Sequence, residues 1–295
     1  MKRINVAIIG LGQVGGSVGK ALKSKPKKYF ITGIDRNPAV LKTALKSKAA
    51  DEVSPSLNAA KGADAIIICA PVNSIAGIYK ALSKIVSPDT IITDAGSVKE
   101  SVERQLKIAS KQKRGGKSAK QRRAIVNSVS PQLPFIGAHP MAGTEKNGIE
   151  NARADMYKNA KVVITNTDKR LLKQQKAVEN IWKDAGGVIV KMPPKKHDEL
   201  AALTSHLPHI IAFALNKIYK QTEKKNKDIN FLTAGSFKSI TRVAVSSADM
   251  WAPIFQMNSK NIGGYLQNFI KELQIFKKAL NSREKLKKEI LKTQK

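Results

Sequence analysis

The feature that most restricts this chain is an alternation that stops partway. Short apolar runs at residues 5–9, 29–34, 65–70, 90–93, 135–138, 161–165 and 188–191 are separated by segments of helical period, and no such run follows Met192. Runs that are apolar on both faces and joined by helices belong to a mainly parallel sheet with helices on each side. After Pro193-Pro194, a pair suited to opening a helix, only helical periods remain, at residues 198–220, around 231–244, and at 262–291. The expected fold is α/β: a doubly wound, mainly parallel sheet over residues 1–193, then an all-helical unit over residues 194–295. The lysine-rich residues 110–132 lack a convincing period, contain Gly115-Gly116, and read as a surface insertion.

The first apolar run leads directly into Gly10-Leu11-Gly12-Gln13-Val14-Gly15, and a helical period follows through Val18, Ala21 and Leu22. In that setting Gly10 permits the tight turn, Gly12 lets a pyrophosphate approach the backbone, and Gly15 lets helix and strand pack closely, as in Rossmann-like folds. Asp35 ends the next run, twenty residues beyond Gly15, the spacing at which a carboxylate accepts from an adenosine ribose. These residues predict a dinucleotide site in which the acid favours NAD, while the neighbouring Arg36 leaves NADP open. Ala70-Pro71-Val72 and Asp94-Ala95-Gly96-Ser97 close two further runs, so they too should lie at the carboxyl edge of the sheet, where ligands bind. Ser97 suits either the site or the cap of the helix that follows.

With 42% hydrophobic residues in 295, the chain has ample material for a packed core. Its 53 Lys+Arg against 22 Asp+Glu leave a net charge of +31, which attracts nucleic acid, acidic membranes and small anions alike. The basic tracts contain no aromatic residue for stacking bases and no helix-turn-helix or zinc pattern, which argues against specific nucleic-acid recognition. A solvated lysine shell is the default, and a field that draws in anionic ligands is the alternative. The single cysteine, Cys69, lies inside an apolar run, so no internal disulfide can form and burial is expected. The opening apolar run lacks a cleavage site, and residues 124–144 carry three prolines and His139, so neither a signal peptide nor a membrane span is expected. A cytoplasmic protein follows.

The four histidines are His139, His197, His206 and His209. His139 follows a run in Gly137-Ala138-His139-Pro140-Met141-Ala142-Gly143-Thr144-Glu145, and Ser205-His206-Leu207-Pro208-His209 falls in the first helix of the second unit, where Pro208 should produce a kink. His206 and His209 share a helix face, but no third ligand of the right type lies nearby in sequence, so hydrogen-bonding and acid-base roles suit them better than a metal.

Together these blocks resemble the prephenate and arogenate dehydrogenases of tyrosine biosynthesis. The resemblance runs, in order, through Gly10 to Ser17, Asp94 to Lys99, Gly137 to Glu145, His197-Asp198, Ser205 to His209, and Thr241-Arg242-Val243-Ala244 through Met250-Trp251. It implies oxidative decarboxylation of prephenate, in which a hydride passes from the hydroxyl-bearing ring carbon to NAD as carbon dioxide leaves and the ring becomes aromatic. His139 is then the implied base, with Ser97 orienting the imidazole or the substrate hydroxyl, and Arg242 the implied clamp for a carboxylate. His209, His206, Thr144, Glu145 and Trp251 match substrate-site positions; Gly10, Gly12, Gln13, Val14, Gly15, Asp35, Arg36, Ala70, Pro71, Val72 and Asp94 match cofactor positions.

One departure stands out. Where the family commonly has an acid before its Thr-Arg pair, this chain has Ser239, which puts an ionic contact at the site entrance in doubt. The resemblance also implies a homodimer through the helical unit, for which Ile262, Tyr265, Leu266, Phe269, Leu273 and Phe276 recur at helical spacing, although packing within one chain fits equally. Neither a fused mutase domain nor an appended regulatory domain is expected. Arogenate, which differs from prephenate in an amino group on the side chain, remains an alternative substrate. A different Rossmann dehydrogenase of a small acid, and a nucleic-acid-binding protein on the same fold, are the other readings.

Overall fold

The computed structural model describes residues 3–111, 133–166 and 168–294; most of the expected insertion, from residue 112 to 132, lies outside them. The principal sheet has six parallel strands in the order β3-β2-β1-β4-β5-β6: β1 (Ile4–Ile9), β2 (Tyr29–Ile34), β3 (Glu52–Ser54), β4 (Ala65–Ile68), β5 (Ile91–Asp94) and β6 (Phe135–Ile136). The strand order reverses at β1, so the crevice between the carboxyl ends of β1 and β4 is where such a sheet takes its ligand. The edge strand β3 is too short and polar to read from the sequence.

Alternate strand residues feed two cores. Ile8 and Ile67 pack with α1 (Gln13–Lys23) and with Trp182 of α5 (Leu172–Asp184), whereas Ile9, Ile66 and Ile68 pack with α3 (Ile75–Leu82) and α4 (Glu100–Lys111). Burial of each such side chain contributes about 1.5–3 kcal/mol, which is why β-branched residues fill both faces of these strands. The remaining helix of this layer, α2 (Pro38–Lys46), starts where Asn37 accepts from Ala39 N–H and Pro38 presets the first turn.

The later runs do not extend that sheet as expected. Strands β7 (Ala138–Pro140), β8 (Lys161–Ile164) and β9 (Val188–Lys191) form a second sheet, with β7 antiparallel and β9 parallel to β8. Gly137 makes the handover: a Cβ there would lie 2.4 Å from Thr165 Oγ1, so only glycine lets the chain turn from β6 into β7 at that point.

From Pro194 onward the described chain is helical: α6 (Pro194–Ala201), α7 (Leu207–Lys225), α8 (Gly235–Thr241), α9 (Ala248–Met257), α10 (Ser259–Ala279) and α11 (Arg283–Lys292). Near Pro208, where a kink is expected, the backbone departs from regular α-helical bonding. A five-residue π turn, Ala202–His206, precedes α7, and Pro208 lies in the first turn that follows it. The expected helix at 262–291 is interrupted near Leu280, where Ser282 caps α11, and α9 lies outside the expected segments. Trp251 and Ile254 of α9 join the core around Val72 and Ile75, so this helix covers the ligand edge of the principal sheet.

Candidate active site

The glycine turn has the geometry its sequence predicts. Gly10 has φ +90°, and a Cβ on it would press against Cys69 O at 2.7 Å; one on Gly15 would overlap Gly10 O at 1.9 Å. A Cβ on Gly12, in contrast, would meet nothing within 4 Å, so the backbone there faces open space at the start of α1. That combination of tight packing behind and free approach in front suits a pyrophosphate. Asp35 Oδ2 accepts from Leu11 N–H at 2.9 Å and Oδ1 from Asn37 N–H at 3.0 Å, which ties the acid to the turn and leaves each oxygen a second lone pair for a ribose hydroxyl. Arg36 and Pro71 are exposed, Ala70 is half-buried, and Val72 is buried in the core beneath the crevice. Val14 contributes its carbonyl to Tyr157 Oη at 2.7 Å, within the frame of the turn.

Two of the expected cofactor residues have side chains bonded within the protein. Asp94 is fully buried: Oδ1 accepts from Ala138 N–H at 3.0 Å, and Oδ2 accepts from Gly96 N–H and pairs with Lys99 Nζ. The side chain expected to face the cofactor is thus occupied in holding Ala138, the residue before His139. Lys99 donates also to Ala138 O at 2.7 Å, so the residue preceding His139 is held by both its N–H and its carbonyl. Gln13 is bonded in the same way: its Nε2 donates to Thr144 Oγ1 at 2.6 Å and its Oε1 accepts from Thr144 N–H at 3.2 Å. This latch joins the glycine turn to the loop that follows β7.

His139 is buried on β7, with Nδ1 2.8 Å from His197 Nε2 and the two rings edge to face at 5.0 Å. His197 Nδ1 lies 2.7 Å from Asp198 Oδ1. Burial, reinforced by His197, Lys99 and His206, lowers the His139 pKa well below its ordinary value, so the imidazole is neutral. Ser97 is half-buried in the turn before α4 and makes no hydrogen bond to the other described residues. It does not cap α4. Asp198 does so from across the molecule, accepting from Lys99 N–H at 2.8 Å and Glu100 N–H at 2.9 Å.

The helices supply the other wall. His209 stacks on Trp251 with centroids 3.7 Å apart, and its Nδ1 donates to Ser205 O at 2.9 Å. Burial lowers the His209 pKa, with the Arg242 charge adding to the shift, while burial brings His206 down to about 4. Arg242 is exposed and pairs with Glu145 Oε2 at 2.6 Å across the entrance. The Glu145 carboxyl is held below the usual range by its own backbone N–H and by Arg242. An ionic contact is thus made between these two expected substrate residues, without a contribution from position 239. Asn258, absent from the sequence reading, is buried between α9 and α10; its Nδ2 donates to Asp198 O at 2.8 Å and to His206 Nδ1 at 3.1 Å. No local pattern marks such a residue, because its partners lie more than fifty positions away.

A glycine turn open to a pyrophosphate, an acid at the end of β2 and a neutral histidine held over the same edge define a dinucleotide-binding oxidoreductase. Comparison with known proteins narrows this. The prephenate dehydrogenase nucleotide-binding domain profile matches residues 18–115 and 115–191, and the prephenate dehydrogenase dimerization domain profile matches residues 193–293. The chain is 30% identical over 285 residues to a cyclohexadienyl dehydrogenase of Zymomonas mobilis, covering 95% of this chain and 89% of that one. It is also 30% identical over 277 residues to a prephenate dehydrogenase of Bacillus subtilis, covering 91% and 68% respectively. Among solved structures, prephenate dehydrogenase from Aquifex aeolicus in complex with hydroxyphenyl propionate and NAD+ superposes with a TM-score of 0.84 at 32% identity, covering 100% of this chain and 97% of that one. The chain belongs to the prephenate dehydrogenase family.

Proposed function

We propose that this chain oxidatively decarboxylates prephenate with NAD. The observation that carries the reading is His139: a neutral imidazole, fixed on a short strand at the carboxyl edge of a sheet whose glycine turn and Asp35 suit a dinucleotide. NAD, when bound, accepts the hydride from the ring carbon that bears the hydroxyl. His139 Nε2 takes the hydroxyl proton as the C–O bond gains double-bond character, and the electrons released as carbon dioxide departs complete the aromatic ring. A neutral base is needed at that moment, and the surroundings of His139 keep it neutral. Arg242 exchanges Glu145 for a substrate carboxylate, which a guanidinium holds with two parallel hydrogen bonds. Stacked His209 and Trp251 form the wall for the substrate side chain, and Ser97 has a free hydroxyl for the substrate oxygen.

Glu145 supports a second reading, because a carboxylate at the entrance also suits the ammonium of arogenate. The division near residue 193 makes the first unit the nucleotide binder and the second the substrate wall and the contact for a second copy of the chain. Among the described residues no helix is long and apolar enough to cross a membrane.

Steady-state formation of reduced cofactor with prephenate and arogenate, each with NAD and NADP, tests the activity. His139→Asn should lower kcat about 1000-fold with little change in KM, the effect of losing a general base. Arg242→Gln should chiefly raise KM, by about tenfold or more. No turnover of any pair by folded protein would overturn the proposal.

A further inference from the structure

The hydrogen bonds beneath His139 run in one direction only. Asp198 Oδ1 already accepts the Lys99 N–H and therefore meets His197 Nδ1 as an acceptor, so His197 carries its proton on Nδ1 and a lone pair on Nε2. His139 Nδ1, 2.8 Å from that lone pair, must in turn donate. A neutral imidazole protonated on Nδ1 has its free lone pair on Nε2, and His139 Nε2 has no protein partner among the described residues.

We infer that Asp198, acting through His197, fixes the tautomer of His139 and so keeps Nε2 available as the proton acceptor. The inference rests on His139 being the base, and it makes both other side chains positioning residues. When the substrate O–H bond breaks and the Nε2–H bond forms, the positive charge on His139 is stabilised through its Nδ1–H by His197, whose own Nδ1–H points at the Asp198 carboxylate. The ring cannot turn over to present the other nitrogen, because all three side chains are buried and Asp94 and Lys99 clamp the preceding residue. The charged and titratable groups around His139 are His197 on α6, His206 in the π turn, Lys99 before α4, and Asp94 behind Lys99.

Asp198 does this while holding a distant element. Its Oδ1, which orients His197, also accepts from Lys99 N–H, its Oδ2 accepts from Glu100 N–H, and its carbonyl accepts from Asn258 Nδ2. The relay thus exists only when the helical segment and the sheet are docked.

Long-range proton–nitrogen correlation spectra of histidine-labelled protein read the tautomers directly, and with four histidines single substitutions assign the signals. His139 and His197 should both appear protonated on Nδ1, and His206, whose Nδ1 accepts from Asn258, on Nε2. A His139 protonated on Nε2 would overturn the inference whatever the enzyme turns over. Kinetics give the second arm. His197→Gln keeps an acceptor near the position of Nε2 and should retain kcat within about tenfold, whereas His197→Leu should lower it about 100-fold, KM for prephenate and NAD staying nearly constant. Asp198→Asn, whose amide oxygen can take the place of Oδ1 and still accept from His197 Nδ1–H, should keep both tautomers yet lower kcat about tenfold, since the negative charge behind protonated His139 is gone. Equal kcat values for the Gln and Leu variants, with melting temperatures as the control for folding, would reduce the relay to packing and overturn it. The expected tautomers in a protein that turns over neither cyclohexadienyl acid would instead reject the proposed activity and leave the tautomer assignment standing.

Discussion

The sheet-bearing segment and the helical segment treat their apolar residues in opposite ways. In β1, β2, β4 and β5 nearly every aliphatic side chain is buried, and the one carboxylate among them, Asp94, is paired with Lys99. In the helical segment Phe231 is 88% exposed, Leu232 83% and Val245 70%, while its buried apolar side chains other than alanine and proline are Leu207, Trp251, Ile254 and Ile262. One segment completes its own core; the other leaves apolar surface of the kind that a second copy of the chain covers. The difference teaches where each half of the site gets its rigidity. His139 is fixed by burial within one chain, whereas Arg242 and the residues near it stand on helices whose outer faces are unfinished.

The comparison can be broken first at the buried ion pair. Lys99→Met should destabilise the fold by about 3–5 kcal/mol, since it leaves Asp94 unpaired in the interior, and thermal unfolding would show whether the frame of His139 is as tightly built as its burial indicates. Acid gives the next largest effect. Burial lowers the His206 pKa from 6.5 to about 4, so its contribution to stability is complete above 6.5 and is lost as the pH falls toward 4, by about 3 kcal/mol. Chemical unfolding at pH 7 and pH 4.5 should show this loss, and His206→Gln should flatten it. The smallest effect on folding is expected in the helices. Phe231→Ser with Leu232→Ser should change the unfolding free energy of an isolated chain by no more than about 0.5 kcal/mol, yet shift sedimentation toward the monomer. A large loss of monomer stability would mean that these residues serve a core of their own chain.

Much of this was legible in the sequence because it is local. The Gly10 to Gly15 turn, Asp35 and the β-branched runs dictate their own geometry over a few residues, and the structure carries them almost unchanged. The second sheet was not legible, because residues 161–164 and 188–191 have the same apolar pattern whichever sheet they join, and the choice depends on the turn at Gly137. In the site, the resemblance brought forward His139, Arg242 and their neighbours. It could not reveal that Gln13 and Thr144 face each other, that Asp94 turns inward, or that Asp198 caps α4, for each of these is a meeting of residues far apart in the chain. The π turn that accommodates Pro208 was hidden for a different reason: proline dictates what cannot continue, not how the backbone goes round it.

Gly137 belongs to neither sheet and touches both, with β6 ending one residue before it and β7 beginning one residue after. Because it leaves no slack, a displacement anywhere along β5 or β6 has two residues in which to fade before it reaches His139. Substitutions deep in the principal sheet should therefore announce themselves as slow enzymes before they announce themselves as unstable ones, and a screen for kinetic lesions in this chain would map its core as faithfully as its active site.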